Sequence, residues 1–371
     1  MERHVMNLSK ELVRLGHRVD IFTSNGVWEG KSLPKSCVVE GMDVRRFRPV
    51  MSLGDFGKVW PGFAPALISG GYDVIHSHVF RHPHTDISNM VSKLSGAKSV
   101  LTSHSPFHPS GVRKSMAEAL VPLYDAVIAP ASLKAFDRII SLTPAEAGTL
   151  STLSGDGRKI RIIPHGVEDI HFSPVSTEGF RSRFGLGDSR IVLYLGRMHP
   201  TKGLYTLVEA FGRAAKAVQD AVLVLAGPSQ GDGGDRYVRA LRLLADSLGV
   251  GGRVVFTSRL TEEEKRVAYQ SCEFFVLPSL YEPYGIVLLE AAAHAKPMIA
   301  SRTDGPLSIV REGTNGYLFN PGDAAELAGL MELLLSDDGL RKKLGAGARV
   351  LAAEHRWDRV GAETVSAYLT A

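Results

Sequence analysis

The sequence predicts an α/β protein with two doubly wound domains joined by a linker, and three observations carry this prediction. The chain has 371 residues, more than one hydrophobic core usually supports. Short apolar strands alternate with helical stretches in both halves, as in the βαβ units of a parallel sheet. Between the halves, glycines and prolines crowd residues 164–190 without a long apolar run, which is typical of an interdomain connection.

The first half begins with an amphipathic helix. Val5, Leu8, Leu12 and Leu15 recur at helical spacing, and Gly16 is expected to end the helix. The strands predicted after it are residues 17–23, 38–47, 72–76, 99–104, 138–142 and 159–163. We expect this first domain to comprise residues 1–166 and to be followed by a linker over 167–188.

The same alternation of strands and helices restarts after the linker. The predicted strands are 191–196, 221–227, 253–257, 274–277 and 298–301, and the predicted helices are 203–218, 236–248, 261–271 and 284–295. Residues 229–235 are predicted as a loop because they consist mainly of Gly and Asp. The second domain is expected over 189–350, with a helical tail in which 351–371 crosses back to the first domain.

Composition and charge exclude several classes of protein. Cys37 and Cys272 are too few and too far apart for a disulfide framework or a cysteine-rich zinc site, which favours a cytoplasmic protein. The sequence contains no run of 18 apolar residues, so it predicts no membrane-spanning helix. Residues 1–165 hold 20 Lys and Arg against 14 Asp and Glu, whereas the remainder holds 23 against 25. The basic first half suggests an anionic partner, either a phosphorylated small molecule or an anionic membrane surface. The sequence contains no run of clustered basic residues with interleaved aromatic residues, so nucleic acid is not the expected partner.

The strongest candidate binding site follows the predicted strand 191–196. Gly196 and Arg197 come at the strand end, and Lys202 stands just before the next helix. Ligands of open α/β sheets bind beyond the carboxyl ends of the strands, and a helix N-terminus favours an anion. Two cations at this place could neutralise a diphosphate. A solvated strand–helix loop is the alternative.

A second candidate follows strand 274–277. Glu282 precedes a predicted helix and Glu290 lies two turns into it. Carboxylates in such positions can accept hydrogen bonds from the vicinal hydroxyls of a sugar, although a single Glu near a helix start is more often a cap or a solvated charge. The two sites together make the functional interpretation stronger than either alone.

Histidines end two strands of the first half. His104 follows strand 99–103, and His76 and His78 end the strand before it, where a histidine can act as an acid, a base or a hydrogen-bond donor. We predict no metal site here, because the spacing lacks a helical H-x-x-x-H. No D-x-D occurs in the chain, so the usual cue for a carboxylate-held Mg²⁺ on a diphosphate is absent and protein cations are favoured.

These motifs, in this order, resemble the family-4 retaining glycosyltransferases of group 1, which have the GT-B fold. The resemblance runs through Glu2-Arg3-His4-Val5, Pro164-His165-Gly166-Val167, Gly196-Arg197 to Lys202-Gly203, and Glu282-Pro283-Tyr284-Gly285 to Glu290. It implies two Rossmann-like domains facing across a cleft, and transfer of a hexosyl unit from a nucleotide diphosphate sugar to a glycan, lipid-linked or small-molecule acceptor, with retention of configuration and no metal or other cofactor.

The resemblance also implies roles for individual residues. Arg197 and Lys202 would stabilise the diphosphate, Glu282 would bind the donor sugar and Glu290 the ribose. His104 would reach the donor sugar and the acceptor. The remaining donor-binding positions carried over are Gly196, Ser258 and Arg259 near the base, and Pro283, Tyr284, Gly285 and Ile286 at the sugar.

One departure from the family bears on activity. Members normally have a strand and a Gly-Gly loop before the position of Glu2, and we expect the first sheet of this chain to lack that strand. Either the start of the sequence is misplaced, which we favour and on which the expected activity depends, or the strand is truly missing. The alternatives to a glycosyltransferase are a catalytically impaired nucleotide-sugar-binding pseudoenzyme and a nucleotide-sugar epimerase of related fold. A lipid-linked acceptor would add a peripheral contact with an anionic inner membrane face.

Overall fold

The structure is a computed structural model that describes residues 1–25, 33–52, 58–104, 116–229 and 231–371. The chain divides into two compact units. Unit 1 comprises Met1–Gly166 together with Trp357–Ala371, and unit 2 comprises Val167–Arg356. Elements are numbered below along the whole chain.

Unit 1 contains short parallel strands with helices between them. Its strands are β1 (Asp20–Ser24), β2 (Ser36–Val39), β3 (Met42–Phe47), β4 (Met51–Ser52), β5 (Lys58–Val59), β6 (Val74–His78), β7 (Lys98–Thr102), β8 (Arg138–Ser141) and β9 (Ile160–Ile162). Its helices are α1 (Glu2–Arg14), α2 (Ala64–Ile68), α3 (Pro83–Ser95), α4 (Met116–Val127), α5 (Ala129–Ala135), α6 (Pro144–Ser154) and α15 (Trp357–Leu369).

The main strands of unit 1 form two separate sheets among the described residues. One sheet has the order β1-β3-β2 and the other is the parallel sheet β6-β7-β8-β9. The edge strands β1 and β6 both line a slot of about 680 Å³, together with α1 and Tyr368. Backbone groups of an edge strand that lacks a neighbour remain available for pairing.

Residues 38–47 form a hairpin, so the prediction of one strand there was wrong. Strands β2 and β3 pair antiparallel, with Val39 opposite Met42. The two residues between them, Glu40 and Gly41, have φ values of 51° and 80°. Positive φ at both central residues is the signature of a tight two-residue hairpin turn, and the apolar pattern alone did not reveal it.

The C-terminal helix α15 is part of the core of unit 1. It contributes Trp357, Val360 and Ala367 to an apolar cluster that it shares with Leu8 and Leu12 of α1. The Tyr368 hydroxyl lies 2.7 Å from His76 Nδ1. Gly166 leaves room for the indole, because a Cβ at that position would lie 2.5 Å from the Trp357 ring.

Unit 2 contains a longer sheet in which all strands are parallel. Its strands are β10 (Arg190–Leu195), β11 (Ala221–Ala226), β12 (Val254–Thr257), β13 (Phe274–Leu277), β14 (Met298–Ser301) and β15 (Gly316–Phe319). Its helices are α7 (Glu178–Arg183), α8 (Leu204–Ala214), α9 (Gly231–Ser247), α10 (Glu262–Ser271), α11 (Ile286–Ala293), α12 (Asp304–Ile309), α13 (Ala324–Ser336) and α14 (Asp338–Glu354). The order β12-β11-β10-β13-β14-β15 is that of a doubly wound Rossmann-like sheet.

Three elements of unit 2 differ from the expectations. Strand β15 extends the sheet past the last predicted strand, where a Cβ on Gly316 would lie 2.0 Å from the Met298 carbonyl oxygen. Helix α9 begins at Gly231, so the end of the predicted loop 229–235 is its first turn. Helix α7 lies inside the stretch expected to be a linker. The glycine content of residues 229–235 misled the sequence interpretation, because glycine there also serves a helix start.

In the described ranges, no helix combines the length and the apolar character needed to cross a bilayer.

We expect Trp357→Ala to destabilise unit 1. Trp357 is buried at 8% exposure within the α1–α15 cluster, and its loss leaves a cavity. Large-to-small changes of buried aromatic residues cost about 3–5 kcal/mol of the free energy of unfolding. Urea unfolding followed by circular dichroism measures the change. Leu369→Ala, in the same helix but 82% exposed, is the control, and equal effects of the two variants would contradict the packing described here.

Candidate functional site

The order of the strands in unit 2 creates one crevice at the carboxyl edge of the sheet. Strand β10 lies between β11 and β13. The chain leaves β10 toward β11 on one side, and it leaves β13 toward β14 on the other. The loops after β10 and β13 therefore diverge, and ligands of open α/β sheets bind at such a switch point.

The backbones of these two loops are in direct contact. The Leu280 N–H donates to the Thr201 carbonyl oxygen over 2.9 Å. Gly203 has a φ of 65°, and a Cβ there would lie 2.0 Å from the Pro278 carbonyl oxygen. Only glycine fits this approach, and it fixes the position of the preceding residue, Lys202.

Lys202 and Glu282 form an ion pair at the switch point. The Lys202 ammonium donates to Glu282 Oε2 over 2.7 Å, and the two side chains are 17% and 12% exposed. The Ser279 hydroxyl donates to the same oxygen over 3.1 Å. One of the three ammonium N–H groups is thus used by Glu282, and the others can point to an anion. The structure brings these two predicted site residues together.

Arg197 lies on the other side of the loop after β10, and its side chain is exposed. The buried Tyr194 hydroxyl donates to the Arg197 carbonyl oxygen over 2.9 Å. Burial, together with the nearby Glu282 carboxylate, raises the pKa of Tyr194 and keeps this hydroxyl a neutral donor. A Cβ on Gly196 would lie 2.6 Å from the same hydroxyl, so glycine is needed where the loop turns.

A cavity of about 290 Å³ opens beside Arg197. Its lining comes from the loop after β10, from Pro228, and from Gly233 and Gly234 in the first turn of α9. The first N–H groups of a helix have no partner within the helix and carry partial positive charge. An arginine that faces the start of a 17-residue helix makes this cavity suited to an anionic group.

The segment from Pro283 to Ile286 carries Glu282 into helix α11. Tyr284 is buried, and Gly285 caps the helix with a φ of 88°. The Gly305 N–H donates to the Glu282 carbonyl oxygen over 3.0 Å. These contacts hold the backbone at the helix start, where N–H groups can meet ligand oxygens.

Glu290 occupies a different environment from Glu282. Its carboxylate is buried in α11 and accepts a hydrogen bond of 2.8 Å from the Tyr269 hydroxyl. His171 Nε2 lies 3.9 Å from the other carboxylate oxygen, and His294 Nε2 lies 3.4 Å from His171 Nδ1. Both carboxylates of the motif are thus bound by protein groups, but Glu290 is buried, whereas Glu282 borders the switch point.

Ser258 and Arg259 are exposed and directly follow β12. They lie at the same carboxyl edge of the sheet as Gly196, because all strands of this sheet are parallel. Strand β12 is two positions away from β10. Their place suits a part of a ligand that extends along the sheet edge from the switch point.

His104 lies in unit 1, two residues past the end of β7. Its φ of 54° is uncommon for a residue with a side chain. His104 Nε2 lies 3.0 Å from His78 Nδ1, and the His4 ring packs edge-on at a centroid distance of 4.8 Å. Burial lowers the pKa of His104 well below its usual value, so the imidazole is neutral. Residues 105–108 after it lie outside the described residues.

Sequence reasoning missed His4 as a site residue. It lies in the first turn of α1, is 3% exposed, and joins the rings of His78, His104 and His165. The Glu2-Arg3-His4-Val5 motif was the available signal. A distance of about seventy residues along the chain hid its proximity to His78.

Two family models match the chain. The model described as glycosyl transferases group 1 matches residues 177–350, and the model described as Glycosyltransferase Family 4 matches residues 1–169.

Several curated relatives are named D-inositol 3-phosphate glycosyltransferase. The protein of that name from Acidothermus cellulolyticus is 33% identical over 300 residues, which are 78% of this chain and 65% of the relative. This chain thus covers less than two thirds of that relative. The one from Salinispora arenicola is 29% identical over 99% of this chain and 88% of the relative.

Solved structures share the fold over nearly the whole chain. A sucrose-phosphate synthase from Thermosynechococcus elongatus is 25% identical, with a TM-score of 0.75 over 98% of this chain and 92% of that chain. A glycosyltransferase from Rickettsia africae is 20% identical, with a TM-score of 0.79 over 99% of this chain and 93% of that chain. The fold is therefore of the GT-B type.

The buried group around Glu290 predicts acid sensitivity. Burial and the adjacent His171 lower the pKa of His294 to about 3, whereas an unfolded chain protonates histidine near pH 6.5. The neutral ring is thus compatible with the full stability of the fold above pH 6.5. As the pH falls from there toward 3, the unfolded state binds a proton that the folded state does not, which costs about 1.4 kcal/mol per pH unit.

We expect His294→Gln to make the free energy of unfolding less dependent on pH. Urea titrations at a series of pH values between 6 and 4.5 measure how steeply the free energy of unfolding changes with pH. This slope should be smaller in the variant by the contribution of one proton, about 1.4 kcal/mol per pH unit. The exposed His17 supplies the control His17→Gln. A slope equal to that of the unsubstituted protein would contradict the burial of a neutral His294.

Proposed function

Because the chain belongs to the family-4 glycosyltransferases of group 1, we propose that it transfers a hexosyl unit from a nucleoside diphosphate sugar to an acceptor, with retention of the anomeric configuration. The observation that carries this proposal is the Lys202–Glu282 pair at the switch point of unit 2. A cation and a carboxylate held 2.7 Å apart can serve the two ends of one donor, its diphosphate and its sugar.

The diphosphate binds between the two cations of the loop after β10. Arg197 borders the cavity at the start of α9, and Lys202 ends the short turn Pro200–Lys202, two residues before α8 begins at Leu204. As the glycosidic bond breaks, negative charge grows on the leaving diphosphate. Fixed cations and helix N–H groups aimed at that charge stabilise the transition state more than the bound donor, which lowers the barrier.

Glu282 binds the hydroxyls of the donor sugar. Without donor, its Oε2 receives both the Lys202 ammonium and the Ser279 hydroxyl, so the carboxylate is already oriented. The backbone of Pro283, Tyr284, Gly285 and Ile286 meets the same sugar, while Ser258 and Arg259 lie toward the base. Glu290 binds the ribose of the donor only if a ribose hydroxyl competes with the Tyr269 hydroxyl for the Glu290 carboxylate.

His104 hydrogen-bonds a hydroxyl of the donor sugar or the acceptor. The lowered pKa of its ring makes it neutral, so that one nitrogen can donate and the other can accept. This neutral form suits the recognition of a hydroxyl.

The acceptor we propose is a small phosphorylated polyol or sugar. Two sets of relatives support this choice by their names, which contain inositol 3-phosphate and sucrose phosphate. The excess of Lys and Arg in residues 1–165 is compatible with an anionic acceptor. A lipid-linked acceptor at an anionic inner membrane surface is the other outcome, which sedimentation with anionic liposomes at low and high salt would reveal.

We expect Lys202→Ala and Glu282→Ala to lower kcat/KM by about 100-fold or more, the size of effect seen when one preorganised electrostatic contact is lost. The assay is release of nucleoside diphosphate from a panel of donor sugars with phosphorylated acceptors. Lys216→Ala and Glu263→Ala, both exposed in unit 2, are the matched controls. Near-normal turnover in either site variant would refute the assignment, and donor binding without any turnover in the unsubstituted protein would favour a pseudoenzyme.

The diphosphate should not need Mg²⁺. The charge that Mg²⁺ supplies in other diphosphate sites comes here from Arg197 and Lys202, and the chain has no D-x-D. We therefore expect the chelator-treated protein to have the same kcat/KM with and without added Mg²⁺. Loss of activity that added Mg²⁺ restores would contradict this part of the proposal.

A further inference from the structure

A second candidate ligand-binding site lies in unit 1, at the carboxyl ends of β6 and β7. His78 ends β6, and His104 follows β7, which pairs with β6 in parallel register so that His78 faces Thr102. The first turn of α1 adds His4. Three separate elements thus converge on one group of imidazoles.

The ring nitrogens of these histidines are close enough to share one ion. One nitrogen from each lies within 4.8 Å of the others, and His78 Nδ1 is 3.0 Å from His104 Nε2. Three nitrogen ligands of a single zinc ion lie about 3.3 Å apart, given metal–nitrogen bonds of about 2.0–2.1 Å. Small rotations of the side chains close the remaining gap.

His4 carries the most specific observation. Its side chain is 3% exposed, and its Nδ1 is buried without a hydrogen-bond partner among the described residues. A buried polar atom without a partner costs free energy, so such atoms call for an explanation. A metal ion bound by His4 Nδ1 would give this nitrogen its missing partner.

We propose that His4, His78 and His104 bind one divalent transition-metal ion, with zinc as the expected occupant. Each of the three rings offers one nitrogen to the group. Imidazole suits zinc, copper and nickel, whereas Mg²⁺ and Ca²⁺ require oxygen ligands that this group lacks. Three histidines leave the fourth position of a zinc ion open to water or to a substrate oxygen.

The backbone around His104 also indicates a site rather than ordinary packing. A φ of 54° at a residue with a side chain costs energy, and such strain persists where the surroundings fix it. Here the strained residue is the one that turns its imidazole toward His78.

The test is metal binding by the full chain, purified without a histidine tag and stripped by a chelator that is then removed. Calorimetry with zinc chloride should show one tight equivalent. Cobalt chloride should give the intense visible bands of a four-coordinate ion, and zinc but not Mg²⁺ should abolish them. No stoichiometric zinc binding, or cobalt displaced by Mg²⁺, would overturn the proposal without the use of any variant.

Variants locate the ion. We expect His4→Ala and His78→Ala to weaken zinc binding by on the order of 100-fold or more, since even the outer partners of a metal ligand change affinity by about 10–100-fold. His17→Ala removes an exposed histidine of the same unit and should bind like the unsubstituted protein. His4→Gln serves where the alanine variant does not fold. Tight binding that survives the loss of His4 in a folded variant would refute the assignment.

Discussion

The divergence of the chain between β10 and β13 is the constraint on which the candidate donor site depends. Parallel strands direct all their carboxyl ends to one edge, and the reversal of strand order opens that edge only where β10 and β13 are neighbours. The two loops that leave this point are locked to each other at Gly203 and Leu280. Lys202 and Glu282 meet because their backbones have little freedom to separate, so the ion pair results from the fold more than it stabilises it.

The two glutamates of the Glu282–Glu290 motif show how position decides the chemistry of a carboxylate. Glu282 precedes its helix, remains partly exposed and is held by a lysine and a serine. Glu290 lies two turns into the same helix, where a tyrosine hydroxyl binds it and histidines adjoin it. A ligand that enters the crevice can reach Glu282 beside its protein partners. A ligand can reach the buried Glu290 only if the satisfied hydrogen bond from Tyr269 is broken.

Much of this architecture followed from the sequence because it rests on local patterns. The alternation of strands and helices predicted the α/β fold, and the motif order predicted a family-4 glycosyltransferase with the GT-B fold. Both predictions are confirmed. Three of the errors lie at glycines, since Gly41 closes a hairpin, Gly231 starts a helix and Gly316 begins a strand. The same residue type is used for turns, caps and close packing, and only the neighbours of each glycine in space distinguish these uses.

The histidine group could not be predicted from spacing, since its members come from three elements that meet only in the folded chain. His104 connects this group with the proposed transfer. In the structure its Nε2 faces His78, so an ion bound there would hold Nε2 and fix the proton on Nδ1. The ring would then act only as a hydrogen-bond donor, whereas the ion-free neutral ring can also accept a hydrogen bond. The occupancy of the three-histidine group would therefore determine whether His104 can accept a hydrogen bond from a substrate hydroxyl as well as donate one.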